Sequence, residues 1–233
     1  MRALSFTEKH MNYLYLHGFA SSPQSTKARY MRQKFAQLGL TLHSPDLNLT
    51  DFSTVTLSDQ LTYLDRTYLN RTYLDDNQTP NEPFVVMGSS LGGFLAVQLA
   101  VKNPSVQKLV LFAPAFGFSQ RLANALGKEN VAKWQQDGSR EFYHYGLKRN
   151  QNLQFQFFVD AQNYAGDNSE EKLTRSLPIL IFHGIHDEVV PAALSQEFAN
   201  RRSQVTLKLL DDDHALGKDL DSLWQDTKQF LLN

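Results

Sequence analysis

The hexapeptide Gly88-Ser89-Ser90-Leu91-Gly92-Gly93 stands directly behind an apolar run, Phe84 to Met87, and directly ahead of a helical pattern, Leu91 to Lys102. A chain that passes from a strand into a helix within so few residues must turn sharply, and G-x-S-x-G is the pattern of such a nucleophile elbow. The turn forces its central residue, Ser90, into an exposed and strained conformation. Gly88 and Gly92 stand where side chains would collide with neighbouring backbone. Chemistry and sterics therefore select the same residues, and Ser90 becomes a candidate nucleophile.

The alternation that frames this turn runs along the chain. Asn12 to Leu16 reads as a strand, Thr26 to Leu38 as a helix closed by Gly39, and Thr41 to His43 as a second strand. Leu57, Leu61, Leu64 and Tyr68 mark one face of a longer helix. Lys108 to Ala113, Ile179 to Phe182 and Val205 to Leu209 are further strands, and a helix runs from about Leu220 to Leu231. Continuous apolar strands alternating with helices predict an α/β fold, a mostly parallel sheet of about six strands flanked by helices. The 233 residues suit one domain, 1–233. A five-residue repeat begins at Thr62, Thr67 and Thr72, each time as Thr-Tyr-Leu. Five α-helical steps rotate about 140°, so equivalent positions should not share a face and the repeat reads as structurally neutral.

Between Phe116 and Leu177 about 60 residues intervene, more than the dozen or so that a crossover needs. An inserted cap over 117–177 is the expectation. Arg121 to Gln135 looks helical, while Leu153, Phe155 and Phe157 alternate with Gln154 and Gln156 at the strand period. The segment is rich in aromatic residues, and Phe118 and Trp134 are candidates to line a substrate pocket.

A serine hydroxyl needs a base to take its proton and an acid to orient that base. In strand–turn–helix hydrolases these follow the serine in the order acid, then histidine, on loops after later strands. Ile179 to Phe182 leads into His183-Gly-Ile-His-Asp-Glu-Val-Val-Pro191, which offers Asp187, with Glu188 as rival. A helix-capping or turn role is the plain alternative for Asp187. Val205 to Leu209 leads into Asp211-Asp-Asp-His214, and of the seven histidines His214 alone lies between the last strand and the last helix. His183 and His186 read as structural, and the three aspartates as a solvated acidic turn or a weak cation site. The backbone N–H of Leu91, at a helix start, can face a developing oxyanion. A second donor is the Phe19 N–H in His17-Gly18-Phe19-Ala20, which follows the first strand; the alternative is an ordinary glycine turn with His17 packed inside.

Taken together, YLHGF, GSSLGG, HGIHDEVVP and DDDHAL resemble the α/β-hydrolase family, and the opening YLHGFASSPQSTKA resembles small bacterial YqiA-like proteins, taken to be esterases. The four motifs span nearly the whole chain. The resemblance implies a Ser90–Asp187–His214 triad, oxyanion donors at Phe19 and Leu91, and no metal or organic cofactor. It implies cleavage of carboxylic esters of small or medium acyl groups through an acyl-enzyme. A thioesterase or peptidase would use the same triad, and a lyase or haloperoxidase the same scaffold. A catalytically silent binding protein is the reading from another class.

Composition narrows the partners. The formal net charge is -1 with scattered Lys and Arg, so no footprint for nucleic acid or anionic lipid stands out and a small-molecule ester is the expected partner. With no cysteine, disulfides and thiolate ligands are excluded, and a reducing, cytoplasmic setting is expected. No apolar run approaches the length of a membrane span, and MRALSFTEKHMN lacks a signal-peptide pattern. An exposed sheet edge could support a homodimer.

Overall fold

The computed structural model describes residues 11–69, 82–164 and 172–232. In chain order the elements are β1 (Asn12–Leu16), α1 (Thr26–Gln37), β2 (Leu42–His43), α2 (Leu57–Leu64), β3 (Phe84–Ser89), α3 (Leu91–Lys102) and β4 (Val106–Phe112). There follow α4 (Phe118–Leu126), α5 (Lys128–Asp137), β5 (Ser139–His144), β6 (Arg149–Gln154), α6 (Gln156–Gln162), β7 (Ile179–Gly184), α7 (Ala192–Asn200), β8 (Val205–Leu210) and α8 (Leu220–Leu232). Six strands form one sheet in the order β2-β1-β3-β4-β7-β8, and every neighbouring pair is parallel.

The sheet is parallel and central because its strands have two apolar faces to bury. Leu14, Leu16, Val86, Leu109, Leu111, Ile179 and Ile181 turn to a core shared with α3. The alternate residues Tyr13, Tyr15, Val85, Met87, Val110, Phe112, Leu180 and Phe182 turn to a second core with Met31 and Phe35 of α1 and Trp224 of α8. All residues of α3 from Leu91 to Ala100 are buried, so this helix needs no polar stripe and sits behind the middle of the sheet. No helix among the described residues is long and apolar enough to cross a membrane.

The five-residue repeat is not neutral where it can be followed. After α2 the backbone widens into a π-type turn, Asp65–Leu69, in which hydrogen bonds run from i to i+5 and residues five apart stack. Leu64 and Leu69 are consequently both buried, and the rings of Tyr63 and Tyr68 meet edge to face at 6.2 Å. The reasoning from α-helical rotation fails because the helix is not α there. The third copy, from Thr72, lies outside the described residues.

The segment between β4 and β7 departs from expectation twice. The helix expected over Arg121–Gln135 is two helices, broken at Gly127, whose φ of 76° and ψ of 156° no helix accommodates. The alternation at Leu153, Phe155 and Phe157 is not one strand: β6 ends at Gln154, and Phe155 opens α6, which buries Phe157, Phe158 and Ala161. Those three positions fit a helical face, and the Phe155 N–H closes the hairpin on the Gly138 carbonyl at 2.8 Å. Asp160 on α6 accepts the Ser58 N–H at 2.9 Å and its hydroxyl at 2.6 Å. A carboxylate thus sits at the N-terminus of α2, where the helix dipole favours it.

Trp134 differs from its expected role. It is 1% exposed, its indole N–H donates to the Leu153 carbonyl at 2.9 Å, and Phe142, Phe155 and Phe158 surround it. It is packed in the core that this segment shares with one face of the sheet and has no surface to offer a ligand. Trp134→Ala should cost about 3–5 kcal/mol, read as a lowered urea midpoint.

Candidate active site

The elbow is held by hydrogen bonds and by close backbone approach. Ser90 has φ 54° and ψ −119°, a left-handed conformation costly for a residue with a side chain. Its N–H donates to the Phe112 carbonyl at 2.9 Å, and its carbonyl accepts from Gly93, Phe94 and Ala115 at 2.9, 3.1 and 3.0 Å. A Cβ on Gly88 would lie 2.2 Å from the Gly92 carbonyl oxygen, and one on Gly92 would lie 2.1 Å from that of Leu16. Both glycines are therefore steric necessities.

Ser90 Oγ lies 3.0 Å from His214 Nε2, and His214 Nδ1 lies 2.7 Å from Asp187 Oδ2. An ionised carboxylate only accepts, so Nδ1 carries the proton and Nε2 is left to accept from the serine hydroxyl. The Asp187 side chain is fully buried and nonetheless well supplied with donors. Oδ1 accepts the N–H groups of Val189 and Val190 at 2.9 and 2.7 Å, and Oδ2 also faces His183 Nε2 at 3.1 Å. Burial alone would raise its pKa. Hydrogen bonds from His183, His214 and the Val190 N–H outweigh burial and hold the carboxyl below the usual carboxylate range. Glu188 is exposed; the carboxylate on His214 is that of Asp187.

His183 has more to do than fill the core. Its Nε2 faces the Val190 carbonyl at 2.9 Å and its Nδ1 the Ser195 hydroxyl at 2.7 Å. A carbonyl only accepts, so Nε2 carries the proton, Ser195 donates to Nδ1, and Nε2–H also serves Asp187. Ser195 to His183 to Asp187 to His214 to Ser90 is one continuous line of contacts. Its sequence signal was the four-residue spacing of His183 and Asp187, which means nothing until the loop folds back.

The two loops are built against each other. A Cβ on Gly184 would lie 2.3 Å from the Asp212 carbonyl oxygen, and the N–H groups of Ile185 and His186 donate to Leu210 and Asp212 at 2.8 and 3.1 Å. The three aspartates have separate partners. Asp211 meets His186 at 2.7 Å, Asp212 accepts the Lys218 and Asp213 N–H groups at 3.0 and 2.8 Å, and Asp213 accepts that of Ala215 at 2.8 Å. They shape the turn before His214, and among the described residues no cluster of His, Cys, Asp or Glu has the arrangement of a metal site.

On the other side of Ser90 lies the loop after β1. A Cβ on Gly18 would sit 3.4 Å from Ser90 Cβ, so this loop runs beside the nucleophile candidate. Among the described residues no acceptor pairs with the backbone N–H of Phe19 or of Leu91. His17 is buried; its Nε2 accepts the Leu47 N–H at 3.0 Å and its Nδ1 faces the Gly18 carbonyl at 2.9 Å, the pattern of a neutral ring used as a staple. The Phe19 ring meets Phe52, Phe118, Phe142 and Phe157 at 5.8, 6.2, 5.4 and 5.4 Å, joining the loop to the segment between β4 and β7. Arg121 of that segment donates to the Phe116 carbonyl at 3.1 Å and to the Val189 carbonyl, reaching the loop that carries Asp187. Arg121 was not singled out from the sequence and His183 was read only as structural, since their partners are backbone or lie across a turn.

The arrangement can pass a proton from Ser90 to His214 while Asp187 steadies the imidazolium. Because the folded pKa of Asp187 lies below its ordinary 3.8, its contribution to stability is complete above 3.8 and is lost progressively as the pH falls below that toward the folded pKa. Urea unfolding between pH 2 and 7 should therefore show a steeper acid loss for the wild type than for Asp187→Asn.

Comparison with solved structures finds the same architecture in mouse alpha/beta hydrolase domain-containing protein 10, at 21% identity and a TM-score of 0.69 over 94% of this chain and 89% of that one. Est1E from Butyrivibrio proteoclasticus, with ferulic acid bound, aligns at 19% identity and a TM-score of 0.71 over 98% and 92%. A structure from the work on LipS and LipT, two metagenome-derived lipolytic enzymes, aligns at 21% identity and 0.70 over 95% and 93%. At such identities the likeness speaks for the fold, which is that of the α/β hydrolases. No curated protein sequence matches the chain. The model of the uncharacterised protein family UPF0227 matches residues 12–231, so the chain belongs to that family.

Proposed function

We propose that the protein is a serine hydrolase cleaving carboxylic esters of small or medium acyl groups, with Ser90 as nucleophile, His214 as base and Asp187 as its orienting acid. The observation that carries this reading is the hydrogen-bonded line from Ser90 through His214 to Asp187, at 3.0 and 2.7 Å, mounted on a strained turn. Strain of that kind persists only where the surrounding structure holds it, and it clusters at functional sites.

In the cycle, His214 Nε2 takes the hydroxyl proton as Ser90 Oγ bonds to the ester carbonyl carbon. The carbonyl oxygen becomes an oxyanion held by the N–H groups of Phe19 and Leu91, and Asp187 stabilises the imidazolium without taking its proton. Collapse breaks the bond to the alcohol, which leaves with the proton from His214. Water, deprotonated by the same imidazole, then releases the acid and restores Ser90. The reaction draws on no cofactor. Residues 117–177 act as a cap, and the acyl group rests against Phe118, which is 8% exposed and borders Phe19. The carboxylic acid bound to Est1E and the lipase and esterase families of the LipS and LipT work are in keeping with this choice of substrate.

The test is a fluorophosphonate probe with peptide mapping, alongside a chain-length series of p-nitrophenyl esters. Label on Ser90, with kcat lowered about a thousandfold or more in Ser90→Ala, is the expected result. Folded wild-type protein that neither labels nor turns over any ester would overturn it; turnover of thioesters or anilides alone would move the assignment to a thioesterase or peptidase.

A further inference from the structure

Lys27 stands in the first turn of α1, inside the stretch SSPQSTKA that the resemblance picked out and the reaction leaves without a role. It is buried, which is rare for lysine and costs desolvation free energy unless the charge is answered. Its ammonium donates to the carbonyl of Ala215, the residue after His214, and lies 5.7 Å from the centre of the Phe112 ring. The carboxylates of Asp212 and Asp213 act on it; burial lowers its pKa, those two charges oppose the drop, and the balance is about 8. The lysine is thus a buried cation held against the residues around His214, on the helix that continues from the Phe19 loop.

That loop needs holding. Residues 211–219 form neither helix nor strand, Leu216 within them has φ 49°, and His214 must stay within hydrogen-bond reach of a serine on another element. We propose that Lys27 is a positioning residue that tethers the His214 loop to α1, keeping His214 in register with Ser90 and with the loop that supplies the Phe19 N–H. A buried cation serves here because it bonds the Ala215 carbonyl while its charge is drawn to those of Asp212 and Asp213 on the same loop, which an apolar side chain cannot do. The role in turnover rests on the hydrolase reading of Ser90 and His214; the tethering of the loop does not.

Lys27→Met keeps the length and removes the charge, Lys27→Gln retains a donor, and Lys27→Arg retains the charge. Each is compared with wild type by kcat and KM on a p-nitrophenyl ester and by hydrogen–deuterium exchange of the 211–219 amides. Lys27→Met should lower kcat about tenfold to a hundredfold, as a misplacement near 1 Å does. KM should stay within about twofold because Lys27 does not meet substrate, and the 211–219 amides should exchange faster while those of β3 stay protected. Lys27→Arg should recover part of both losses, a rescue that a volume effect would not give. Wild-type kcat and wild-type exchange in Lys27→Met overturn the proposal; should that variant not fold, the same two results in Lys27→Gln overturn it. Wild-type protein without turnover or label sinks the hydrolase reading instead, and the exchange comparison then decides the tether by itself.

Discussion

The contact on which the rest depends is the approach of the α3 N-terminus to the ends of β1 and β3. Gly92 stands where a Cβ would reach 2.1 Å from the Leu16 carbonyl oxygen, and Gly88 where one would reach 2.2 Å from that of Gly92. Without side chains at these two positions, the first turn of α3 drops onto the sheet and Ser90 is left at its crest. The same descent brings the loop after β1 beside Ser90, where a Cβ on Gly18 would lie 3.4 Å from Ser90 Cβ. A fully buried helix in the middle of a sheet buried on both faces makes this geometry rigid, because each face is close-packed and cannot give.

Around that crest the side chains of Asp187, His183 and His214 each have hydrogen-bond partners. The Asp187 carboxylate is removed from water and receives donors from two histidines and two backbone N–H groups, enough to favour ionisation despite burial. The aspartates that precede His214 fold their own turn, and the loops bearing Asp187 and His214 share backbone hydrogen bonds and a glycine contact. The order acid, then histidine, along the chain thus reflects adjacent strands, since β7 and β8 are neighbours and their C-terminal ends lie side by side.

Legibility followed the source of the constraint. Asn12–Leu16 and Leu91–Lys102 were readable to the residue, because a short apolar run bounded by turn residues has few other uses in a buried sheet. Ser90, Asp187 and His214 were singled out from order and context, and the fold brings the three within hydrogen-bond reach. The segment between β4 and β7 was read less well. Phe155 and Phe157 satisfied the strand period and the helical one, and only the closing of the hairpin at Gly138 separated them. Trp134 was assigned by its size to a pocket, whereas three rings and the Leu153 carbonyl enclose it.

The amino-acid sequence by itself determined the strand–turn–helix at Ser90, the parallel sheet and the succession of an acid loop and a histidine loop, since these follow from local sterics and from the period of apolar residues. Tertiary structure decided what depends on groups distant along the chain. It selected Asp187 over Glu188, gave His183 a proton to direct at that carboxylate, placed Lys27 under a loop far along the chain, and turned a five-residue repeat into a stacked π-type turn. In each case the deciding partner is a backbone carbonyl, a buried charge or an aromatic face, and none of these leaves a pattern at fixed spacing.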